Sequence, residues 1–231
     1  MNRIKICGIT NEDDLTALAG FPIALYGLWH RCGGAHDLEL PQLRDLARDG
    51  AGQGTARPCL VTFEADPARL VEVLNVTGIP ALQLHGFCLP AQLRAICKAV
   101  RGIGRRIEIL KVLHMNGSHC AEGRLIDAYR DCDVDGFILD AFEGRRAVGS
   151  TGHPVDQKAA VALIPRLAPV PVMLAGGVGP DLLRCAQGSG FAGFDIDSAA
   201  REDGHISARA IGALFAALAG RQRKGIGNDA A

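Results

Sequence analysis

The chain has 231 residues, with 25 Lys+Arg against 25 Asp+Glu, so its formal charge is zero. A chain of this length that is 48% hydrophobic and 22% charged buries a sizeable core, which excludes global disorder. Neutrality argues against a nucleic-acid groove or an anionic membrane as the main partner, and no apolar run approaches the roughly 20 residues that span a bilayer. The opening Met1–Cys7 meets a glycine and a polar cluster too early for a signal peptide, which predicts a cytoplasmic protein.

Short apolar runs alternate with amphipathic stretches along the chain. In order, predicted strand Ile4–Ile9 precedes helix Asn11–Ala19, and Ala24–Trp29 precedes Pro41–Arg48. Cys59–Phe63 precedes Pro67–Asn75, with Asp66 as a candidate cap, and Ala81–Leu84 precedes Pro90–Val100. Ile107–Leu113 precedes Gly123–Arg130, and Gly136–Asp140 precedes Gln157–Leu167. Val170–Ala175 precedes Pro180–Gln187, and Gly193–Ile196 precedes Ser207–Leu218. Strands that are apolar throughout are buried on both faces, the mark of a parallel sheet. Eight such units predict an α/β fold, a single (β/α)8 TIM barrel over residues 1–220. A doubly wound sheet is the rival, but no GxGxxG follows the first strand. Residues 221–231 read as a disordered tail.

The eight cysteines form no CxxC pair and no tight cluster with histidine, so neither a metal nor a disulfide framework is predicted. Most read as reduced, small hydrophobes. In a barrel, reactive groups sit at strand C-termini and in the loops beyond. That rule selects Lys5 and Cys7 after strand 1, Gln83 and His85 after strand 4, and Asp140 after strand 6. It also selects Gly176-Gly177 after strand 7 and Asp195–Ala199 after strand 8. Cys7 and Asp140 come from roughly opposite sides of the mouth and suit a general base and a general acid. Lys5 shares Cys7's side of its strand and supplies a cation for the thiolate. Gly176-Gly177 offers bare N–H groups for a phosphate, and Gly149-Ser150-Thr151-Gly152 a loop to cover ligand. Each has a plainer reading: a small buried side chain for Cys7, a cap for Asp140, satisfied polar groups for Gln83 and His85, ordinary turns for the glycines.

Taken together these residues resemble the phosphoribosylanthranilate isomerases. Lys5-Ile6-Cys7-Gly8-Ile9-Thr10 resembles that family's N-terminal signature, Gln83-Leu84-His85-Gly86 its strand-4 motif and Leu139-Asp140 its strand-6 acid. Gly149–Asp156 is similar to its glycine-rich loop, and Ala175-Gly176-Gly177-Val178 and Asp195–Ser198 to its phosphate-side turns. The resemblance implies a cytoplasmic aldose–ketose isomerase of tryptophan biosynthesis, an intramolecular oxidoreductase without cofactor or metal. It implies Cys7 as base and Asp140 as acid of an Amadori rearrangement. It assigns the phosphorylated sugar-amine substrate to Lys5, Gln83, His85 and Asp195, and its phosphate to Gly152, Gly176, Gly177 and Ser198. A monomer or homodimer is expected.

The chain departs from the family where substrate is held. His36 falls at the position of the Arg that pairs the anthranilate carboxylate, leaving Arg31 as a substitute from another backbone point. Asp197 and Ala199 replace a Ser and a Gly beside the phosphate, and an unneutralised Asp197 would repel it. Val155-Asp156-Gln157 lacks the family's aromatic. Two other readings therefore stand: a paralogue using the same acid–base pair on another small molecule, and a non-catalytic barrel acting as a binding protein.

Overall fold

Residues alternating across a strand face opposite sides, and here both sides are apolar, so the strands pack inward and outward at once. The computed structural model describes residues 3–54, 56–142 and 155–220. Its strands are β1 (Arg3–Ile6), β2 (Leu25–Trp29), β3 (Arg57–Thr62), β4 (Ala81–Leu84), β5 (Glu108–Asn116), β6 (His119–Cys120), β7 (Gly136–Ala141), β8 (Val172–Leu174) and β9 (Gly193–Ile196). Eight of them run parallel in the order β4-β3-β2-β1-β9-β8-β7-β5, and β4 pairs with β5 to close the ring. The predicted (β/α)8 barrel is the observed fold. Helices α1 (Glu12–Ala17), α2 (Leu40–Gln53), α3 (Pro67–Thr77), α4 (Pro90–Arg101), α5 (Ile126–Arg130), α6 (Gln157–Leu167), α7 (Pro180–Ala186) and α8 (Ala208–Ala219) surround it.

The barrel is filled in layers. Arg3, Arg57 and Glu108 close the N-terminal end as a partly exposed ion cluster. Above them Leu25, Cys59, Ala81, Leu110, Val112, Ile138, Met173 and Ala175 form one inner cluster. Ile4, Ile6, Leu28, Leu60, Leu82 and Phe137 face the helices in a second, larger core. Polar side chains occupy the C-terminal layer.

Several boundaries differ from expectation for local reasons. β1 stops at Ile6 because Gly8 turns the backbone to φ +76°. α2 runs five residues past Arg48, to Gln53. β5 continues to Asn116 and folds back as the antiparallel β6, a hairpin that the periodicity did not predict. A second small hairpin, β10 (Arg201–Glu202) with β11 (His205–Ile206), precedes α8. Asp66 caps α3 as expected, accepting from the Ala68 amide. The predicted loop Gly149–Gly152, with Gly152, and the tail 221–231 lie outside the described residues. No described helix is long and apolar enough to cross a membrane.

Candidate active site

The chain enters the mouth from β1. The Cys7 amide donates to the Ile196 carbonyl, 2.7 Å away, which ties the residue to the end of β9. Cys7 is 5% exposed. Its Sγ accepts from Lys5 Nζ and from Trp29 Nε1, each at 3.1 Å. Gly27 makes the room: a Cβ there would lie 2.7 Å from Sγ and 3.1 Å from Nζ.

Lys5 is fully buried and also donates to both carboxylate oxygens of Asp195, at 2.8 and 2.9 Å. Burial alone would lower its pKa, but the Asp195 charge and the sulfur outweigh it, so Lys5 remains an ammonium. Burial pushes Asp195 upward against the pull of Lys5. Burial likewise pushes the Cys7 thiol up to about 12, with Lys5 and Trp29 opposing and Asp195 and Asp197 adding. The cation expected to favour the thiolate is therefore in place but shared with Asp195. The thiol rests protonated.

Asp140 ends β7. Its Oδ2 lies 3.0 Å from His85 Nε2, and its Oδ1 accepts from the Ala141 amide at 2.8 Å. Two strands, β9 and β8, separate it from β1 along the barrel. Asp195, on β9, stands in the interval, where the charges of Asp140 and His85 act on it as well as that of Lys5. The buried His85 Nδ1 and Gln83 Oε1 have no protein partner among the described residues. Beside Asp140, in register on β5, stands His114. Its Nδ1 lies 2.7 Å from Glu122 Oε1, its amide donates to Glu122 Oε2, and Phe87 stacks on its ring at 4.0 Å. The bonds from His114 outweigh burial and hold Glu122 below the usual carboxylate range.

Across the mouth, Gly176 and Gly177 adopt φ +73° and +64°. A Cβ on Gly176 would stand 2.7 Å from the Ala141 amide, so no side chain fits. Ser198 is exposed and opens a 3-10 turn (Ser198–Ala200), and Ala199 lies against Gly179 of the neighbouring turn. Asp197 is not a bare charge beside this cradle. Its Oδ1 accepts from Arg201 Nε at 2.8 Å, and the guanidinium also donates to the Gly8 carbonyl at 2.6 Å. The expected repulsion was conditional on an unneutralised Asp197, and Arg201 supplies the compensating charge.

On the β2 side, Arg31 adopts φ +58° and its guanidinium is held by Glu64 Oε2 at 2.7 Å. It stands half-exposed in that ion pair rather than free for a ligand. His36 meets the Trp29 ring edge-on, with centroids 5.8 Å apart. Sequence reasoning missed Trp29, His114, Glu122 and Arg201. Trp29 shares the inward face of its strand with Gly27, but in an apolar run it carries no mark that sets it apart from core. Among the described residues, no cluster of three or more His, Cys, Asp or Glu side chains is arranged to hold a metal.

The model of a family described as "N-(5'phosphoribosyl)anthranilate (PRA) isomerase" matches residues 39–217. The N-(5'-phosphoribosyl)anthranilate isomerase of Synechococcus sp. (strain JA-3-3Ab) is 33% identical over 178 residues, which are 77% of this chain and 73% of that one. Its counterpart from Methanothermobacter marburgensis is 29% identical over 186 residues, 79% of this chain and 77% of that one. The solved phosphoribosyl anthranilate isomerase of Thermococcus kodakaraensis shares the fold with a TM-score of 0.75 at 19% identity, covering 95% of this chain and 99% of that one. With the barrel described and a match over most of its length, the chain belongs to the N-(5'-phosphoribosyl)anthranilate isomerase family.

Proposed function

We propose that this isomerase converts N-(5'-phosphoribosyl)anthranilate to its 1-deoxyribulose phosphate, an aldose–ketose Amadori rearrangement, with Asp140 as general acid and Cys7 as general base. Asp140 gives its proton to the ribose ring oxygen, and the ring opens to a Schiff base. Cys7, as thiolate, takes the proton from sugar C2. The enolamine then tautomerises to the ketone. The chemistry needs no metal, organic cofactor, nucleic acid or membrane, and its setting is the cytoplasm, as monomer or homodimer.

One observation carries this reading: a thiol and a carboxyl, both buried, end β1 and β7 at the same mouth over a shared polar floor, Lys5–Asp195. Gln83 Oε1 and His85 Nδ1, unpartnered within that floor, suit the sugar hydroxyls. The N–H groups of Gly176, Gly177 and Ser198, with Gly152, take the phosphate. The anthranilate carboxylate falls to His36, and to Arg31 once its bond to Glu64 opens.

The test is the loss of anthranilate-type fluorescence when purified protein meets N-(5'-phosphoribosyl)anthranilate made in situ. Cys7→Ala and Asp140→Asn should abolish the signal. Wild type no faster than these variants would overturn the assignment. The Arg31–Glu64 pair favours a second reading, in which the same acid–base pair serves a phosphoribosyl amine without a carboxylate. Faster turnover of an N-phosphoribosyl aniline than of the anthranilate would select it.

A further inference from the structure

We infer that Trp29 is a positioning residue for Cys7: its indole N–H holds the sulfur in place and stabilises the thiolate. This rests on the reading of Cys7 as the base. Trp29 Nε1 lies 3.1 Å from Cys7 Sγ, and among the described residues it donates to nothing else. An indole N–H is a donor only, so this bond survives ionisation of the sulfur and strengthens with it. Lys5 cannot serve alone, because its ammonium is divided between the sulfur and two Asp195 oxygens. Among the described residues, the indole is the one donor aimed at Sγ that no carboxylate shares.

The ring is also held from behind. Trp29's carbonyl accepts from the Leu38 amide at 2.8 Å, and the His36 ring meets the indole edge-on. Val61 and Cys32 complete the apolar contact around sulfur and indole. Among the described residues, the ionisable groups that face Cys7 are Lys5 on β1, Asp195 on β9, Asp197 just beyond it, Cys59 on β3 and Cys32 beyond β2. Arg201 reaches the Cys7 carbonyl rather than its sulfur, at 3.4 Å. Of these, only Lys5 favours the thiolate, so a neutral donor on β2 matters.

Iodoacetamide labelling of the Cys7 peptide, compared in wild type and Trp29→Phe near neutral pH, tests the inference. Loss of the donor should slow labelling about three- to tenfold, because the thiolate fraction drops while the more basic sulfur regains part of the rate. A ring that only fills space predicts the opposite: phenylalanine opens the site and labelling is unchanged or faster, which would overturn the inference. The variant should also lose kcat by a similar factor with KM nearly unchanged. Trp29 is the only tryptophan in the chain, so all indole emission comes from the ring beside Cys7. In wild type the emission should change in step with Cys7 labelling, and Cys7→Ala should remove that response. Should Trp29→Phe not fold, this wild-type measurement decides, and an emission indifferent to labelling overturns the inference. Slower labelling in the variant with no isomerase turnover in wild type would sink the isomerase reading and leave the Trp29 contact standing. Full turnover with labelling unslowed would do the reverse.

Discussion

At Cys7, burial and hydrogen bonding pull in opposite directions. Dehydration pushes the thiol up to about 12, while Lys5 and Trp29 act to bring it down. The thiolate is thus a minor species near neutrality, and its population grows with pH. The rate of Cys7 alkylation, which needs the thiolate alone, should therefore climb with pH until folding itself fails; a rate that falls above neutrality would contradict this account of the thiol. Asp195 sets the second term. Asp195→Asn leaves the Lys5 ammonium without its counter-ion in a fully buried site, at a cost on the order of 3–5 kcal/mol in urea unfolding. The same change frees the Lys5 charge for the sulfur, so Cys7 should be alkylated faster in a less stable protein. General loosening would also speed alkylation, so the pH profile of labelling separates the two: an electrostatic role moves it to lower pH, and loosening raises the rate without moving it. Strand alternation alone made Lys5's inward direction legible, and the N-terminal motif singled out Cys7. Trp29 was not legible, because a tryptophan in an apolar strand reads as core. The Asp197–Arg201 pair was hidden for another reason: the turn that brings the guanidinium back over Gly8 has no period to read.

At the level of elements, continuous apolar runs bounded by glycine, proline or charge were enough to place all eight barrel strands. What escaped was structure held by side chains. The β5–β6 hairpin is such a case: it returns the chain so that the Ala121 amide reaches the His114 carbonyl, and Glu122 then takes both the amide and Nδ1 of His114. Glu122→Ala strands two buried donors, so it should cost about 2–3 kcal/mol and lower Tm by several degrees. Glu122→Gln, which keeps an acceptor, should recover part of that loss. The turn after β8 was legible as a glycine pair, but the reason for glycine is geometric. At Gly176 the left-handed backbone and a 2.7 Å approach to the Ala141 amide both exclude a side chain. Gly176→Ala should raise KM for phosphorylated substrate and lower Tm; a variant with wild-type KM would show that the cradle is not where phosphate binds.

For the whole molecule, the same closed core that dries the site makes it sensitive to base. Cys7 and Cys59 both point into the barrel, and burial pushes each thiol up to about 12. In the unfolded chain a cysteine ionises near 8.5. Below that value both states hold the proton and these thiols leave folding unaffected by pH. Above it the unfolded chain releases protons that the folded barrel retains, so stability is lost as pH rises toward the folded value. Each such thiol contributes a slope of up to about 1.4 kcal/mol per pH unit in that interval. Urea midpoints measured from neutrality to about pH 10.5 should accordingly fall, steeply above about pH 9. Cys59 tests the cause, since it lies below the polar layer of the mouth, in the apolar filling. Cys59→Ala should start less stable at neutral pH, having left a small void, yet lose stability more gently with rising pH. Equal slopes in variant and wild type would mean that the Cys59 thiol ionises as easily folded as unfolded, which a sealed barrel interior does not permit.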